Sequence, residues 1–256
     1  MKKLLLALLF LAFSFNFAQE KSSEELAKLS QNPLANMMSF PFQNNTTFGI
    51  GEFNRSSNVL NFQPVLPFFN GRLITRTIIP IVNQPLGESE SLSGIGDINF
   101  SAFYAPPSGD GLTWGFGPIL SIPTGSDVST KKWGLGPSFV MLKITKTLVY
   151  GFLVNNVWSV AGDQNASDVN SMLFQYFINY NFQGGWYLST APIITANWNA
   201  SDGNQWVVPF GGGGGKIVKF GPLPVNLQAQ AFYNVVKPDN YGDWSLRLQA
   251  QLMLPK

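Results

Sequence analysis

The segment Trp244-Ser245-Leu246-Arg247-Leu248-Gln249-Ala250-Gln251-Leu252-Met253-Leu254 decides the fold. Trp244, Leu246, Leu248, Ala250, Leu252 and Leu254 share one parity, and Ser245, Arg247, Gln249, Gln251 and Met253 share the other. An extended backbone would therefore show one apolar and one mostly polar side. The pattern recurs in 225–235, where Val225, Leu227, Ala229, Ala231, Tyr233 and Val235 oppose Asn226, Gln228, Gln230 and Asn234. It recurs again in 172–182, where Met172, Phe174, Tyr176, Ile178, Tyr180 and Phe182 oppose Gln175, Asn179 and Asn181, with Leu173 and Phe177 among the polar set. A soluble sandwich alternates in the same way, so strand length and the polar face must separate the two. Soluble strands average about five or six residues, whereas these run for about ten to thirteen, enough for a tilted strand to cross a bilayer. Their polar faces carry amides and hydroxyls with scarce charge, which suits an enclosed lumen better than an open surface. Trp186 and Trp198 share a parity, and at about 3.3 Å per residue and a tilt near 40° they lie roughly 30 Å apart along the normal. That spacing approximates two aromatic girdles around an apolar band about 25 Å tall.

Composition points the same way. Of 256 residues only 12% are charged, against about 25% in soluble domains, so something other than water faces much of the chain. The absence of Cys excludes disulfides, thiol nucleophiles and a lipid-modified cysteine. The absence of His removes the usual general base and the commonest transition-metal ligand. No paired-carboxylate motif replaces them, so neither an enzyme nor a cofactor nor a metal site is expected. Lys2 and Lys3, the apolar run over 4–15 and Asn16-Phe17-Ala18 read as a secretory signal over 1–18, cleaved after Ala18. The run is too short for the roughly 20 residues of a spanning helix. Removing both lysines lowers Lys+Arg from 16 to 14, equal to the 14 Asp+Glu, so the formal +2 vanishes on cleavage. With no basic stripe beyond Lys131-Lys132, nucleic acid is not an expected partner.

Twelve candidate strands follow, near 44–53, 58–68, 72–82, 95–105, 112–123, 133–143, 147–160, 169–182, 185–198, 205–218, 224–236 and 244–254. Their connections alternate strictly between long and short. The long set holds Glu88, Glu90, Asp127, Asp163, Asp168, Asp202, Asp239 and Asp243; the short set includes Phe69-Asn70-Gly71, Ile144-Thr145-Lys146 and Gln183-Gly184. Long loops outside and tight turns inside describe an outer-membrane barrel, and an even count leaves both ends in the periplasm. The expected fold is all-β, a transmembrane antiparallel up-and-down barrel of about 12 strands over 44–256. Closure is required because hydrocarbon offers no partner to a free sheet edge. Pro64, Pro80, Pro118, Pro137, Pro192 and Pro209 each delete a ladder donor and mark bulges or strand ends. The glycine run 211–215 suits a bend or close packing, not a phosphate loop, since Phe210 takes the first-glycine position and Ile217 follows Lys216. Over 19–43, a short helix is expected behind Ser22 and Ser23, with Pro33 ending it or starting a second turn. Twelve tilted strands leave a lumen about 10–12 Å wide, so this segment either lies in the periplasm or enters the barrel as a plug.

Candidate lumenal residues follow from parity. With Leu73, Thr75, Thr77, Ile79 and Ile81 facing lipid, Arg76 faces inward; with Ile98, Phe100, Ala102 and Tyr104 facing lipid, Asp97, Asn99 and Ser101 do. Arg247, Gln228 and Gln230 join them from the last two strands. Placing a charge against midplane lipid costs about 2–4 kcal/mol, which favours these inward positions. Arg76 and Asp97 are expected to share one lumen as an ion pair or solute contact, with Arg247 near Glu52 if the last strand closes on the first.

Five stretches carry a family resemblance: Asn58-Val59-Leu60-Asn61-Phe62-Gln63-Pro64-Val65, Leu73-Ile74-Thr75-Arg76-Thr77-Ile78-Ile79-Pro80, Gly94-Ile95-Gly96-Asp97-Ile98, Lys132-Trp133-Gly134-Leu135-Gly136-Pro137 and Asn156-Val157-Trp158-Ser159-Val160-Ala161-Gly162. Together with the C-terminal end from Trp244, they resemble the outer-membrane barrel family linked to the MetA pathway of phenol degradation. The resemblance implies a channel or transporter in the outer membrane of a Gram-negative bacterium, taking small, aromatic or hydrophobic organic solutes. Outer-membrane lipid and, during biogenesis, the barrel-assembly machinery are its expected partners. The chain departs from outer-membrane proteins in general by ending in Pro255-Lys256 instead of an aromatic residue. A structural or surface-interaction barrel without transport is the alternative, and oligomeric state is open.

Overall fold

Strand β15 (Trp244–Leu254) hydrogen-bonds back to β1 (Met38–Ile50), in a register running from Met38 opposite Leu254 to Phe48 opposite Trp244, and so closes the sheet. The computed structural model describes residues 21–107, 109 and 111–254; the expected signal at 1–18 lies outside the described residues. Between the closing strands run β2 (Arg55–Phe62), β3 (Val65–Phe68), β4 (Leu73–Leu86), β5 (Glu90–Ile95), β6 (Ile98–Tyr104), β7 (Leu112–Ile122), β8 (Lys132–Ile144), β9 (Leu148–Gly162), β10 (Asn170–Asn181), β11 (Trp186–Thr190), β12 (Ile193–Asn197), β13 (Trp206–Phe220) and β14 (Leu223–Val236). The pairs β2/β3, β5/β6 and β11/β12 are each one stave interrupted once, so the described residues make a closed antiparallel barrel of 12 staves. Among the described residues no helix is long and apolar enough to cross a membrane.

Proline places two of the interruptions, at Gln63-Pro64 and at Ala191-Pro192, and Gly96-Asp97 makes the third. Pro118 and Pro137 face each other across β7 and β8. Each missing N–H points to the other neighbour, and the ladder skips there: β6–β7 passes from Ser101/Ile119 to Tyr104/Phe116, and β8–β9 from Leu135/Trp158 to Ser138/Asn155. A register shift accompanies Pro209 on β13.

The first strand starts earlier than the expected 44. Residues 38–43 pair with 249–254 of β15, and Phe40 and Phe42 stack outward on Phe62. Pro41 obscures that strand in the sequence, yet its carbonyl accepts from the Gln63 N–H at 2.9 Å, so its missing N–H faces the break at Gln63-Pro64, where no ladder bond is lost.

Helix α1 (Ser23–Ser30) forms because Ser22 caps it: its hydroxyl accepts from the Glu25 N–H at 3.1 Å, and the Glu25 carboxylate accepts from the Ser22 N–H at 2.9 Å. Glu24 accepts from the Gly184 N–H at 2.6 Å, fastening the helix to the turn Gln183–Gly185. Its apolar face, Leu26 at 2% and Ala27 at 0% exposure, packs with Ala35, Met37, Tyr187, Ile217 and Met253. The strap after it, 31–37, crosses the same mouth. Leu34 buries itself among Ile74, Phe103, Val140, Leu142, Val149 and Phe177 of five different staves. Asn36 lies over Gly71, whose φ of +84° and near contact, 2.9 Å from an added Cβ to the Asn36 Cβ, both require glycine. Helix and strap thus lie across the turn-end mouth, packed on inward side chains of the barrel.

Candidate functional site in the barrel lumen

Above the plug the inward positions turn polar. On β4 the change takes two residues, from Ile74 at 0% exposure to Arg76; on β15 it runs from Met253 through Gln251 to Arg247. Arg76 donates to Gln63 Oε1 at 2.6 Å, and its guanidinium borders a cavity of about 150 Å³ whose floor is the strap 31–37. Gln43, Gln175, Asn179 and Gln249 contribute amides to the cavity wall, while Leu153 and Phe177 give it an apolar flank.

Arg247 is held more completely. Its Nε donates to Asn45 Oδ1 at 3.0 Å, its Nη1 to the Ala191 carbonyl at 2.8 Å and to Gln230 Oε1 at 3.3 Å, and its guanidinium lies 4.9 Å over the Phe232 ring. The Ala191 carbonyl is available because Pro192 interrupts the ladder beside it; Gln175 also donates to it, at 3.3 Å. Gln230 donates to Ser189 Oγ at 2.9 Å and its carbonyl at 3.2 Å, and Gln228 reaches the same hydroxyl at 3.3 Å. Tyr187 donates to Asn226 at 2.6 Å, and its ring lies on Gly215, where an added Cβ would come within 2.3 Å of the phenol oxygen. The glycine run thus makes room for Tyr187, the close packing its composition implied.

Two expected pairings are corrected. Arg76 and Asp97 do not meet: Arg76 is opposite Ser101, and Asp97 lies four residues further toward the loops, about 13 Å along a strand. Asp97 instead accepts from the Ser129 and Thr130 hydroxyls and from the Thr130 N–H, clamping the connection between β7 and β8. Asn99 donates to the Asp97 carbonyl at 3.4 Å, a weak contact near the same clamp. Arg247 reaches Asn45 rather than Glu52, because the register sets Asn45 opposite it and Glu52 lies exposed beyond the end of β1. Gln63 and Asn45, the neutral partners of the two arginines, are the site residues that parity alone did not single out. The Pro64 break beside Gln63 was the available signal.

Charged groups at the two rims are paired outward. Lys132 contacts Asp168 at 3.1 Å at the loop end, and the hydrogen bond from Lys132, then that from Ser159, holds the Asp168 carboxyl below its ordinary range. At the turn end, hydrogen bonds from its own N–H and from the Gly184 N–H hold Glu24 below the usual carboxylate value. Among the described residues no three metal-ligating side chains gather.

An apolar outer wall, a closed sheet and a lumen that turns polar midway define a barrel of the outer-membrane type. No protein-family model and no curated protein matches the chain. Solved structures do. The NanC porin aligns over 86% of this chain and 99% of its own at 10% identity and TM-score 0.57. An outer membrane channel from Pseudomonas putida F1 aligns over 85% of this chain and 94% of its own at 15% identity and TM-score 0.61. Outer membrane phospholipase A from Escherichia coli aligns over 90% of this chain at 13% identity, with a TM-score of only 0.42. At these identities the likeness to the two channels establishes the fold, one found in outer-membrane proteins of Gram-negative bacteria.

Proposed function

We propose that this chain is an outer-membrane channel for small organic solutes, gated at its turn end by the N-terminal segment. The observation that carries the reading is the lumen itself: above the strap it keeps a cavity walled by amides and Arg76 in place of a packed apolar core. A barrel serving only as a wall gains nothing from enclosing two guanidiniums, one buried and one half-buried, whose desolvation is costly. The fold shared with two channels supports the reading, and the resemblance to the MetA-linked family supports aromatic or hydrophobic solutes. In this reading the signal over 1–18 is removed, the assembly machinery inserts the barrel, the acidic loops face outward and the turns face the periplasm. The alternative, a surface-interaction barrel without transport, draws on the apolar packing of Leu34 that shuts the mouth.

Swelling of liposomes carrying the purified barrel, driven by isosmotic small solutes, tests the proposal. Solute-dependent swelling above empty liposomes is expected, rising when the strap is undocked. No swelling in either state would leave the non-transporting barrel.

A further inference from the structure

We infer that the lumen contains an anion site centred on Arg76, which takes a small organic carboxylate with a single apolar ring. Arg76 offers five N–H donors, yet among the described residues its only hydrogen-bond acceptor is Gln63 Oε1. The remaining donors belong to a side chain that borders the cavity, and no carboxylate lines that cavity. Arg247 faces the same lumen from β15, anchored by three neutral acceptors and the Phe232 ring. Among the described residues neither arginine takes part in a salt bridge. Two enclosed cations, Arg247 buried and Arg76 half-buried, without a counter-charge are costly, and the cost falls when an anion enters. A planar carboxylate matches the guanidinium fork with two parallel hydrogen bonds.

The rest of the cavity sets the size and character of the ligand. At about 150 Å³ it equals the volume known to hold one benzene ring in an apolar cavity. Phe177 and Leu153 supply an apolar flank, and Gln43, Gln175 and Asn179 supply donors for a second polar group. Strap residues close the floor, so an anion bound here sits against the gate. The inference deepens the channel reading by naming a solute class, but the site itself is a binding property and stands apart from flux.

Calorimetry on the full chain in detergent, with benzoate and its neutral analogue benzyl alcohol, is the test. The wild-type barrel is expected to bind benzoate at least about tenfold tighter than benzyl alcohol. Arg76→Gln should remove that preference. Gln63→Glu keeps Arg76 but gives it a permanent carboxylate at the present contact point, where Gln63 Oε1 lies 2.6 Å from the guanidinium, and should weaken benzoate by about tenfold or more while benzyl alcohol changes little. Equal binding of the two probes by the wild type, or benzoate binding untouched by Gln63→Glu, overturns the site, and neither result depends on Arg76→Gln folding. A barrel that binds benzoate but never swells liposomes loses the channel reading and keeps the site. One that passes solutes without preferring benzoate keeps the channel and loses the site.

Discussion

The two halves of the lumen obey the same parity rule and do opposite things. Toward the turns, the inward residues Ile74, Phe103, Val140, Leu142 and Val149 are apolar and close around Leu34. Midway along the same wall, the inward residues Arg76, Gln230 and Arg247 are polar, and beside them a cavity remains. An inward position thus says only that a side chain leaves the lipid. Its polarity says what it meets: another piece of chain at one end, water or solute in the middle. In an open pore the inward apolar residues would be exposed to water, so their presence marks where the N-terminal segment docks.

Breaking the apolar half should have the largest effect. Leu34→Asp buries a carboxylate among hydrocarbon side chains, at a cost of several kcal/mol, and should release the strap. Single-channel recordings are expected to show conductance at least about tenfold above wild type, while the barrel keeps its heat-modifiable migration. Gly215→Val, which drives a side chain into the Tyr187 phenol on the lumenal wall, should cost about 1–3 kcal/mol in denaturant unfolding from lipid vesicles.

Loosening the strap without charging it should act more gently. Gln31 and Asn181 exchange reciprocal amide bonds of 2.8 and 3.1 Å, and Asn181 also donates to the Thr147 carbonyl at 3.2 Å. Gln31→Ala is therefore expected to cost about 1 kcal/mol and to raise open probability about fivefold in the same recordings.

The smallest effect belongs to the loop rim and depends on pH. Because the Lys132 hydrogen bond, then that of Ser159, holds Asp168 below the ordinary aspartate range, that contact contributes stability above the unfolded carboxylate pKa and loses it as pH falls through the folded value. Wild type and Asp168→Asn should thus differ slightly in melting at neutral pH and converge in strongly acidic buffer. A difference that persists unchanged in acid would remove the carboxylate from the account.

Much of this was legible in the residues. Period-two alternation at 172–182, 225–235 and 244–254 gave strands, faces and closure, and parity placed Arg76, Gln230 and Arg247 inside. Less legible was which inward residues meet, because register is a two-strand property: nothing local says that Arg76 is opposite Ser101, leaving Asp97 too far along the stave. The start of β1 was masked for a different reason. Pro41 looks like a strand breaker, and the sheet tolerates it because its missing N–H faces the break at Gln63-Pro64 in the neighbouring stave. A capped helix narrow enough for the lumen was readable, but its place, periplasm or barrel, stayed open, because docking depends on Leu34 finding side chains from five staves, a contact no sequence window contains.

The central claim is that the lumen is a solute path closed by the N-terminal segment. Gln31→Cys with Asn181→Cys, bridged by a short reducible bifunctional thiol reagent, pins the strap in a chain that has no other cysteine. Swelling of liposomes bearing this variant is the direct measurement. The account predicts slow swelling while the bridge is intact and fast swelling once it is reduced; equal rates in the two states would contradict it.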